Sequence, residues 1–269
     1  MNRIADSFEN LRKQGKKALV PFITAGDPRV DATLPLMQAL VRGGADLLEL
    51  GVPFSDPMAD GPVIQRSSER ALRHGTSLGD VLDIVAGFRE ENTTTPVILM
   101  GYLNPIEVMG YEKFSRRARA AGVDGVLVVD LPPEEADALQ AELKRHDLCQ
   151  IFLLSPTTRG ERLEQICAKA GGFLYYVSLK GVTGSNRLNL DEVTAKIAQV
   201  RTKTSLPVGV GFGIKDADTA KAVAGFSDAV IVGSSLVERL EQLGPAPIER
   251  LARTAEEFLA VLRAAVDTA

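Results

Sequence analysis

The sequence predicts an α/β protein in which eight parallel strands close into a (β/α)8 barrel, with one extra helix at the N-terminus. Two observations carry this prediction. Eight short apolar runs recur along the 269 residues, and the segments between them have apolar residues three and four positions apart. Near-continuous apolar strands that alternate with amphipathic helices pair in parallel and are covered on both faces. Eight such units in one chain fit closure into the TIM-barrel architecture.

The predicted strands follow one another at Ala18–Thr24, Leu47–Gly51, Pro96–Met100, Gly125–Asp130, Gln150–Leu154, Phe173–Ser178, Val208–Phe212 and Ala229–Gly233. Helical stripes lie between them, at Leu78, Val81, Leu82, Val85 and Phe88, and at Val193, Ile197 and Val200. The last outer helix is predicted from Ile248, Leu251, Ala255, Leu259, Leu262 and Val266. A doubly wound open sheet is the alternative, but eight repeats fit closure better. No linker divides the chain, so residues 1–269 are expected to form a single domain.

Composition and charge exclude several classes of function. The 31 Lys and Arg against 35 Asp and Glu give a formal charge of −4, which offers no excess of cations for nucleic acid. The longest uncharged stretch, 92–106, is shorter than the roughly 20 residues of a membrane span. The N-terminus lacks the apolar core of a secretory signal, so the cytoplasm is the expected location.

The sequence predicts no metal site. Its two cysteines, Cys149 and Cys167, are far from a CxxC spacing, and its two histidines are His74 and His146. These are too few soft ligands for zinc. The cysteines are interpreted as reduced core thiols, and the histidines as residues near helix ends, where a cation complements the helix dipole.

The segments that follow the second and sixth strands are longer than the others, and chemistry in such barrels lies at the C-terminal ends of the strands. Glu49 is an acid inside an apolar strand, where burial would raise its pKa and suit it to proton transfer near neutral pH. An ion pair across the barrel end is the alternative. Asp60 is the second candidate acid, although Asp60-Gly61-Pro62 is also typical of an N-cap before a helix.

Glycine-rich turns follow the last three strands, at Gly181–Gly184, Gly211–Ile214 and Gly233–Ser235. Glycine allows close approach of the backbone, and successive N–H groups with a helix starting near Ser235 would form an anion site. The pattern therefore predicts a phosphate ester as substrate. Phe22, Tyr175 and Phe212 lie at strand ends and could form a flat apolar wall, although plain packing also explains them.

The chain resembles the tryptophan synthase alpha-chain family over essentially its whole length. The most specific match is Leu48–Gly61, Leu-Glu-Leu-Gly-Val-Pro-Phe-Ser-Asp-Pro-Met-Ala-Asp-Gly, which is similar to the family signature at every position. Supporting matches are Pro21–Pro28, Tyr102–Pro105, Asp130–Pro132, Gly181–Gly184, Gly211–Ile214 and Gly233–Ser234. Many members carry Arg where this chain has Leu179, which leaves details of loop closure open.

The resemblance implies cleavage of indole-3-glycerol phosphate to indole and glyceraldehyde 3-phosphate, a retro-aldol lyase step that needs no metal or cofactor. It implies Glu49 as the proton-transfer group and Asp60 as the acceptor near the ring nitrogen. Phe22 would flank the indole, and Tyr175 would hold Glu49 or pack on the substrate. The substrate-binding set is completed by Thr183, Gly184, Phe212, Gly213, Gly233 and Ser234. The two long segments would act as lids.

The resemblance also implies a partner. Members act with a beta subunit that uses pyridoxal phosphate, in an assembly of two alpha and two beta chains, and indole passes between the sites through a tunnel. The expected interface includes Asp56, Pro57, Asn104 and Pro132.

Two interpretations of the sequence from other functional classes remain open. A Schiff-base aldolase would use Lys180 as its amine nucleophile. A non-catalytic phosphate-binding barrel that regulates a partner enzyme would have no need for Glu49.

Overall fold

The computed structural model describes residues 2–177, 190–211 and 213–269. The strands are β1 (Ala18–Thr24), β2 (Leu48–Gly51), β3 (Val97–Gly101), β4 (Gly125–Val128), β5 (Cys149–Leu154), β6 (Leu174–Val177), β7 (Val208–Gly211) and β8 (Ala229–Val232). They form one closed parallel barrel in which each strand pairs with its neighbours in sequence and β1 pairs with β8. The predicted barrel is confirmed, while the single domain over 1–269 stays a prediction.

Strand ends differ from the prediction by one or two residues at β2, β3, β4, β5, β6 and β8. β2 begins at Leu48 and not at Leu47, and β4 ends at Val128 and not at Asp130. After β4 the chain turns, with the Leu131 amide 3.4 Å from the Val128 carbonyl oxygen. The carboxylate of Asp130 then accepts a hydrogen bond of 2.8 Å from the Leu103 amide, outside the strand ladder.

Twelve α-helices lie in the described part of the chain. They are α1 (Arg3–Lys13), α2 (Thr33–Arg42), α3 (Pro62–Arg73), α4 (Leu78–Glu91), α5 (Leu103–Met109), α6 (Tyr111–Ala121), α7 (Asp137–Arg145), α8 (Gly160–Lys169), α9 (Leu190–Arg201), α10 (Ala217–Ala224), α11 (Ser234–Leu243) and α12 (Ile248–Val266). Two helices, α3 and α4, follow β2, so most of the long segment there is helical and its loop is limited to residues 52–61. The long segment after β6 includes residues 178–189, which lie outside the described residues.

The predicted helical stripes face the barrel. Every residue of the α4 and α9 stripes is buried, as are Leu251, Ala255, Leu259, Leu262 and Val266 of α12. Ile248 alone of the α12 stripe is only partly buried. These stripes pack on the outward-facing strand residues, which gives the barrel its outer core.

The N-terminal helix α1 closes the N-terminal end of the barrel. Its buried residues Ile4, Phe8 and Leu11 belong to the same apolar cluster as the inward-facing strand residues. Ile4 lies so close to the backbone that a Cβ built on Gly125 would be 2.9 Å from its Cδ1 atom. The side chain of Asn2 fixes the start of this helix, because its Nδ2 donates to the Asp124 and Asp147 carbonyl oxygens at 2.9 and 3.0 Å.

A buried carboxylate also lies at this end of the barrel. The side chain of Asp124 is fully buried and accepts hydrogen bonds from the Val97 amide at 2.9 Å, Arg89 at 2.8 Å and Arg3 at 2.9 Å. Burial lowers the pKa of Arg89 to about 10, and the charge of Asp124 opposes that change. The carboxylate therefore ties β3, α1 and α4 together.

The histidines lie near helix ends as predicted, whereas the cysteines are less deeply buried than the predicted core thiols. Cys149 and Cys167 are free and partly buried, and burial raises the pKa of Cys149 to about 11. His74 and His146 directly follow the last residues of α3 and α7. Across the described ranges, no helix is long and apolar enough to cross a membrane, and no three potential metal ligands group together.

Candidate active site

A cavity of about 660 Å³ opens at the C-terminal end of the barrel. It brings together most of the residues that the sequence nominates, namely Phe22, Glu49, Asp60, Tyr175, Gly213, Gly233 and Ser234. Apolar side chains such as Met100, Val129, Leu153 and Ile231 line it as well. Thr183, Gly184 and Phe212 lie outside the described residues, as does Lys180.

Glu49 is the most unusual group in this cavity. It lies in β2, in register with Phe22 of β1 and Ile98 of β3, and is only 2% exposed. Neither of its carboxylate oxygens has a hydrogen-bond partner among the described residues, and no cation described there pairs with it. Burial, with a smaller contribution from the charge of Asp60, raises the pKa of Glu49 to about 8. The group is thus protonated at neutral pH and can donate a proton.

The alternative interpretation of Glu49 as half of an ion pair is wrong within the described structure. A buried carboxylate kept for stability would be surrounded by donors or cations. Glu49 instead points into a cavity with neither, as a residue that meets a ligand would.

Asp60 lies at the end of the loop 52–61 and is half-buried on the cavity wall. The hydroxyl of Tyr102 donates a 3.0 Å hydrogen bond to its Oδ2 atom and accepts a 3.0 Å bond from the Ala59 amide. The ring of Tyr102 stacks on Phe54 with the centroids 5.1 Å apart. Burial raises the pKa of Asp60, and the hydrogen bond from Tyr102 opposes this rise.

The N-cap interpretation of Asp60 is wrong. The N-cap of α3 is Gly61, which has no side chain to offer, and Pro62 is the first helical residue. The Asp60 carboxylate accepts from Tyr102, and its carbonyl oxygen accepts a 2.9 Å hydrogen bond from Gln65. Because proline needs no N–H partner and its φ is already helical, α3 begins without a capping side chain.

Phe22 and Tyr175 form walls of the cavity, and each lies against a glycine. A Cβ built on Gly51 would be 2.6 Å from Cζ of Phe22, and one on Gly211 would be 2.5 Å from the hydroxyl oxygen of Tyr175. Tyr175 does not hold Glu49 by a hydrogen bond, since both Glu49 oxygens are unpartnered. Burial, with the nearby charges of Glu49 and Asp60, raises the pKa of Tyr175 well above its ordinary value, so the phenol stays neutral.

The opposite side of the cavity has the features of an anion site. Helix α11 begins at Ser234, one residue before the predicted start, and follows Gly233. The first N–H groups of a helix have no acceptor within the helix and favour anions. Ser235 donates a 2.8 Å hydrogen bond from its Oγ to the Ile214 carbonyl oxygen, which fixes the loop after β7 beside this helix end. Gly213, in that loop, has a φ of +79°, a conformation that favours glycine.

The residues expected at a partner interface lie around this end of the barrel, near the cavity. Asp56 and Asn104 are exposed, and Pro57 and Pro132 are partly exposed. Two exposed apolar residues accompany them, Met58 in the loop 52–61 and Val108 in α5, with 83% and 81% of their surface exposed.

Sequence reasoning missed Tyr102 as a functional residue. It lies directly after β3, at the same barrel end as the loop after β2. The C-terminal ends of neighbouring parallel strands meet at one end of a barrel. A polar residue directly after β3 could therefore have been expected near the loop after β2.

Comparison with known proteins identifies the family of this chain. The family described as "Tryptophan synthase alpha chain" matches residues 8–266 of the sequence. The chain belongs to the tryptophan synthase alpha-chain family. Proteins named tryptophan synthase alpha chain from Nitrosococcus oceani and Chromobacterium violaceum are 57% and 58% identical to it, over 99% and 98% of this chain and 98% and 100% of their own.

Solved structures agree with the family assignment. The tryptophan synthase alpha subunit of Legionella pneumophila str. Paris superposes with a TM-score of 0.93 at 48% identity and covers 100% of both chains. A chain of Mycobacterium tuberculosis tryptophan synthase superposes with a TM-score of 0.88 at 35% identity, over 98% of each chain. The resemblance read from the Leu48–Gly61 signature is thereby confirmed as family membership.

Proposed function

We propose that this tryptophan synthase alpha chain cleaves indole-3-glycerol phosphate to indole and glyceraldehyde 3-phosphate, with Glu49 and Asp60 as its catalytic residues. This lyase step is the alpha reaction of tryptophan biosynthesis. The observation that supports the residue assignment most strongly is the unpartnered carboxyl group of Glu49 in the cavity, with its pKa raised to about 8.

The chemistry requires one proton to be given and another to be taken. Protonated Glu49 donates to C3 of the indole, which makes the ring a cationic indoleninium. The resulting carboxylate accepts the proton of the side-chain hydroxyl on the carbon attached to C3. As that C–O–H becomes an aldehyde, the bond to C3 breaks and its electron pair restores the indole ring. One group thus serves as acid and then as base, and no net proton is lost.

Asp60 suits the second catalytic role. As a carboxylate it would accept a hydrogen bond from the ring N–H and stabilise the positive charge of the indoleninium. Tyr102 supports the ionised form, because its hydrogen bond to Oδ2 opposes the rise in pKa that burial causes.

The rest of the cavity suits the two ends of the substrate. Phe22 and Tyr175 would flank the apolar ring, and the amides around Gly213, Gly233 and Ser234 would hold the phosphate. The substrate-binding roles proposed for Thr183, Gly184 and Phe212 rest on the family resemblance. The proposed closure of the loop 52–61 and of the segment 178–189 over the substrate rests on it too.

The partner in this proposal is a tryptophan synthase beta subunit, in an assembly of two alpha and two beta chains in the cytoplasm. Pyridoxal phosphate would be on the beta subunit, and the alpha chain would need no cofactor. Asp56, Pro57, Asn104 and Pro132 are the proposed interface, and the exposed Met58 next to Pro57 supports this, since apolar side chains are buried when such surfaces associate.

The test is indole release from indole-3-glycerol phosphate by the purified chain, with and without a beta subunit. We expect release by the chain alone and faster release with the partner, because the partner would bias the lids towards closure. Equal rates would remove the proposed activation, and no indole in either sample would overturn the function. Borohydride trapping of a triose phosphate on Lys180 would instead support the Schiff-base aldolase.

A further inference from the structure

Lys215 lies in the loop between β7 and α10 and is exposed on the wall of the active-site cavity. Both polar groups of the peptide bond that precedes it are hydrogen-bonded. The carbonyl oxygen of Ile214 accepts from Ser235 at 2.8 Å, and the Lys215 amide donates to Oγ1 of Thr219 at 3.2 Å. A long side chain therefore extends from a fixed point two residues after Gly213, beside the start of α11.

Among the cations of the described cavity lining, Lys215 is the one that forms no salt bridge. The carboxylates of Asp60 and Glu238 and the protonated Glu49 line the cavity, whereas Arg162 and Lys215 are the cations that the described lining contributes. Arg162 already pairs with Glu134 at 3.3 Å. Among the described residues Lys215 forms no salt bridge within 4.0 Å, and the charge of the neighbouring Asp216 acts on it only at longer range.

We propose that Lys215 is a substrate-binding residue that attracts the phosphate dianion of the substrate to the amides of Gly213 and Ser234. A chain with a formal charge of −4 repels such an anion at long range, and neutral amides exert little attraction beyond contact distance. An unpaired ammonium group beside the amides supplies that attraction. This inference rests on the proposed function, because it takes the phosphate end of that substrate as its ligand.

The role predicted for Lys215 is in binding and not in bond cleavage, since proton transfer takes place at Glu49 and the ring. Lys215→Gln should raise KM by roughly 3- to 10-fold with kcat unchanged, the size expected when one charge-assisted contact to phosphate is lost. The dependence of kcat/KM on ionic strength should become shallower, since one charge that steers the anion is gone. Lys215→Arg should keep the wild-type dependence.

Lys221→Gln is the matched control. Lys221 is an exposed lysine of α10 with no described ion pair and no part in the cavity lining, so this variant removes the same charge at a distance. Binding of glyceraldehyde 3-phosphate, measured by calorimetry, should weaken in Lys215→Gln alone. Binding of uncharged indole should stay the same in both variants.

The proposal is overturned if the two lysine variants have the same KM and salt dependence, or if Lys215→Gln lowers kcat and thermal stability together. Either result leaves the proposed function intact, provided that the wild-type chain cleaves indole-3-glycerol phosphate. If it does not, the function fails, and the calorimetry with glyceraldehyde 3-phosphate still tests Lys215 on its own.

Discussion

Two buried carboxylates lie at opposite ends of the barrel, and their surroundings differ completely. Asp124, at the N-terminal end, accepts from two arginines and a backbone amide, whereas Glu49, at the C-terminal end, is 2% exposed and has no described partner. A buried acid whose hydrogen bonds are satisfied holds elements together, and a buried acid without partners costs stability unless a ligand meets it. The comparison teaches that the polar groups of one barrel end stabilise the fold, whereas the other end has the unpartnered acid that the proposed chemistry requires.

The sharpest test of this comparison is Glu49→Gln. Removal of the proton-transfer group should raise the barrier by about 4 kcal/mol or more, roughly a thousandfold in rate, while the fold is kept. The measurement is kcat for indole release, with circular dichroism as the check on folding. Turnover near that of the wild type would contradict the assignment.

The same variant should also change how stability depends on pH. Because the pKa of Glu49 rises from 4.5 to about 8 on folding, its contribution to stability is fully present below pH 4.5 and is lost as pH rises through about 8. Glu49→Gln lacks this loss, so it should gain stability relative to wild type between pH 5 and pH 9 in urea unfolding. Parallel pH profiles for the two proteins would mean that the carboxyl group is not protonated in the fold.

Asp124→Ala should show the opposite behaviour. It leaves Arg89 buried without its carboxylate and should lower the free energy of unfolding by about 3 kcal/mol. The kcat per folded molecule should stay near wild type, since Asp124 is far from the cavity. Urea unfolding and kcat at a temperature where the variant is folded are the measurements. If Asp124→Ala lost as much kcat as Glu49→Gln, the two barrel ends would not have separate roles in stability and catalysis.

Asp60→Asn should raise the barrier by about 2–3 kcal/mol, because an amide cannot balance the positive charge of the ring. Stability should change little, since Asp60 does not cap α3 and an amide oxygen can still accept from Tyr102. The comparison of kcat with the urea midpoint tests both statements. A collapse in stability would show that the side chain is mainly structural.

Tyr102→Phe should have the smallest effect, a barrier higher by about 1.5 kcal/mol through the loss of one hydrogen bond to a charged group. Without that donor the pKa of Asp60 rises, so the acidic limb of the kcat profile should move to higher pH. Tyr111→Phe is the control, because Tyr111 bonds the exposed Glu107 away from the cavity. If the role of Tyr102 is only structural, Tyr102→Phe would lower the free energy of unfolding and leave the acidic limb of the kcat profile at the same pH.

The fold could be predicted because its signal is local. Continuous burial of Leu48–Gly51 and Val208–Gly211 is what parallel strands covered on both faces require, and it shows as short apolar runs. Glu49 stood out for the same reason, as the one acid in the middle of such a run. Helices α5 and α6 were not predicted as separate elements, because the break between them is one glycine, Gly110, with φ of +85°.

The predictions that were wrong at the site concern hydrogen-bond partners that are distant in sequence. Asp60-Gly61-Pro62 has the local pattern of a cap, but the competing donor, Tyr102, comes from the next strand end, and no local pattern reports it. Whether Tyr175 reaches Glu49 likewise depends on how two strands pack across the barrel. Lys215 was not identified because an unpaired charge is defined by its surroundings and not by its neighbours in sequence.

The closed N-terminal end of the barrel has a consequence for how the protein is synthesised and folds. Ile4 packs against Gly125 and Gly172, and Phe8 packs against Phe173, at that end of the barrel. Ile4 and Phe8 are synthesised well before Gly172 and Phe173, so they cannot take their places until that later part of the chain has followed them. Up to that moment the apolar inner surface of the growing sheet is open to water, and the nascent chain offers a surface to chaperones and to other unfinished chains.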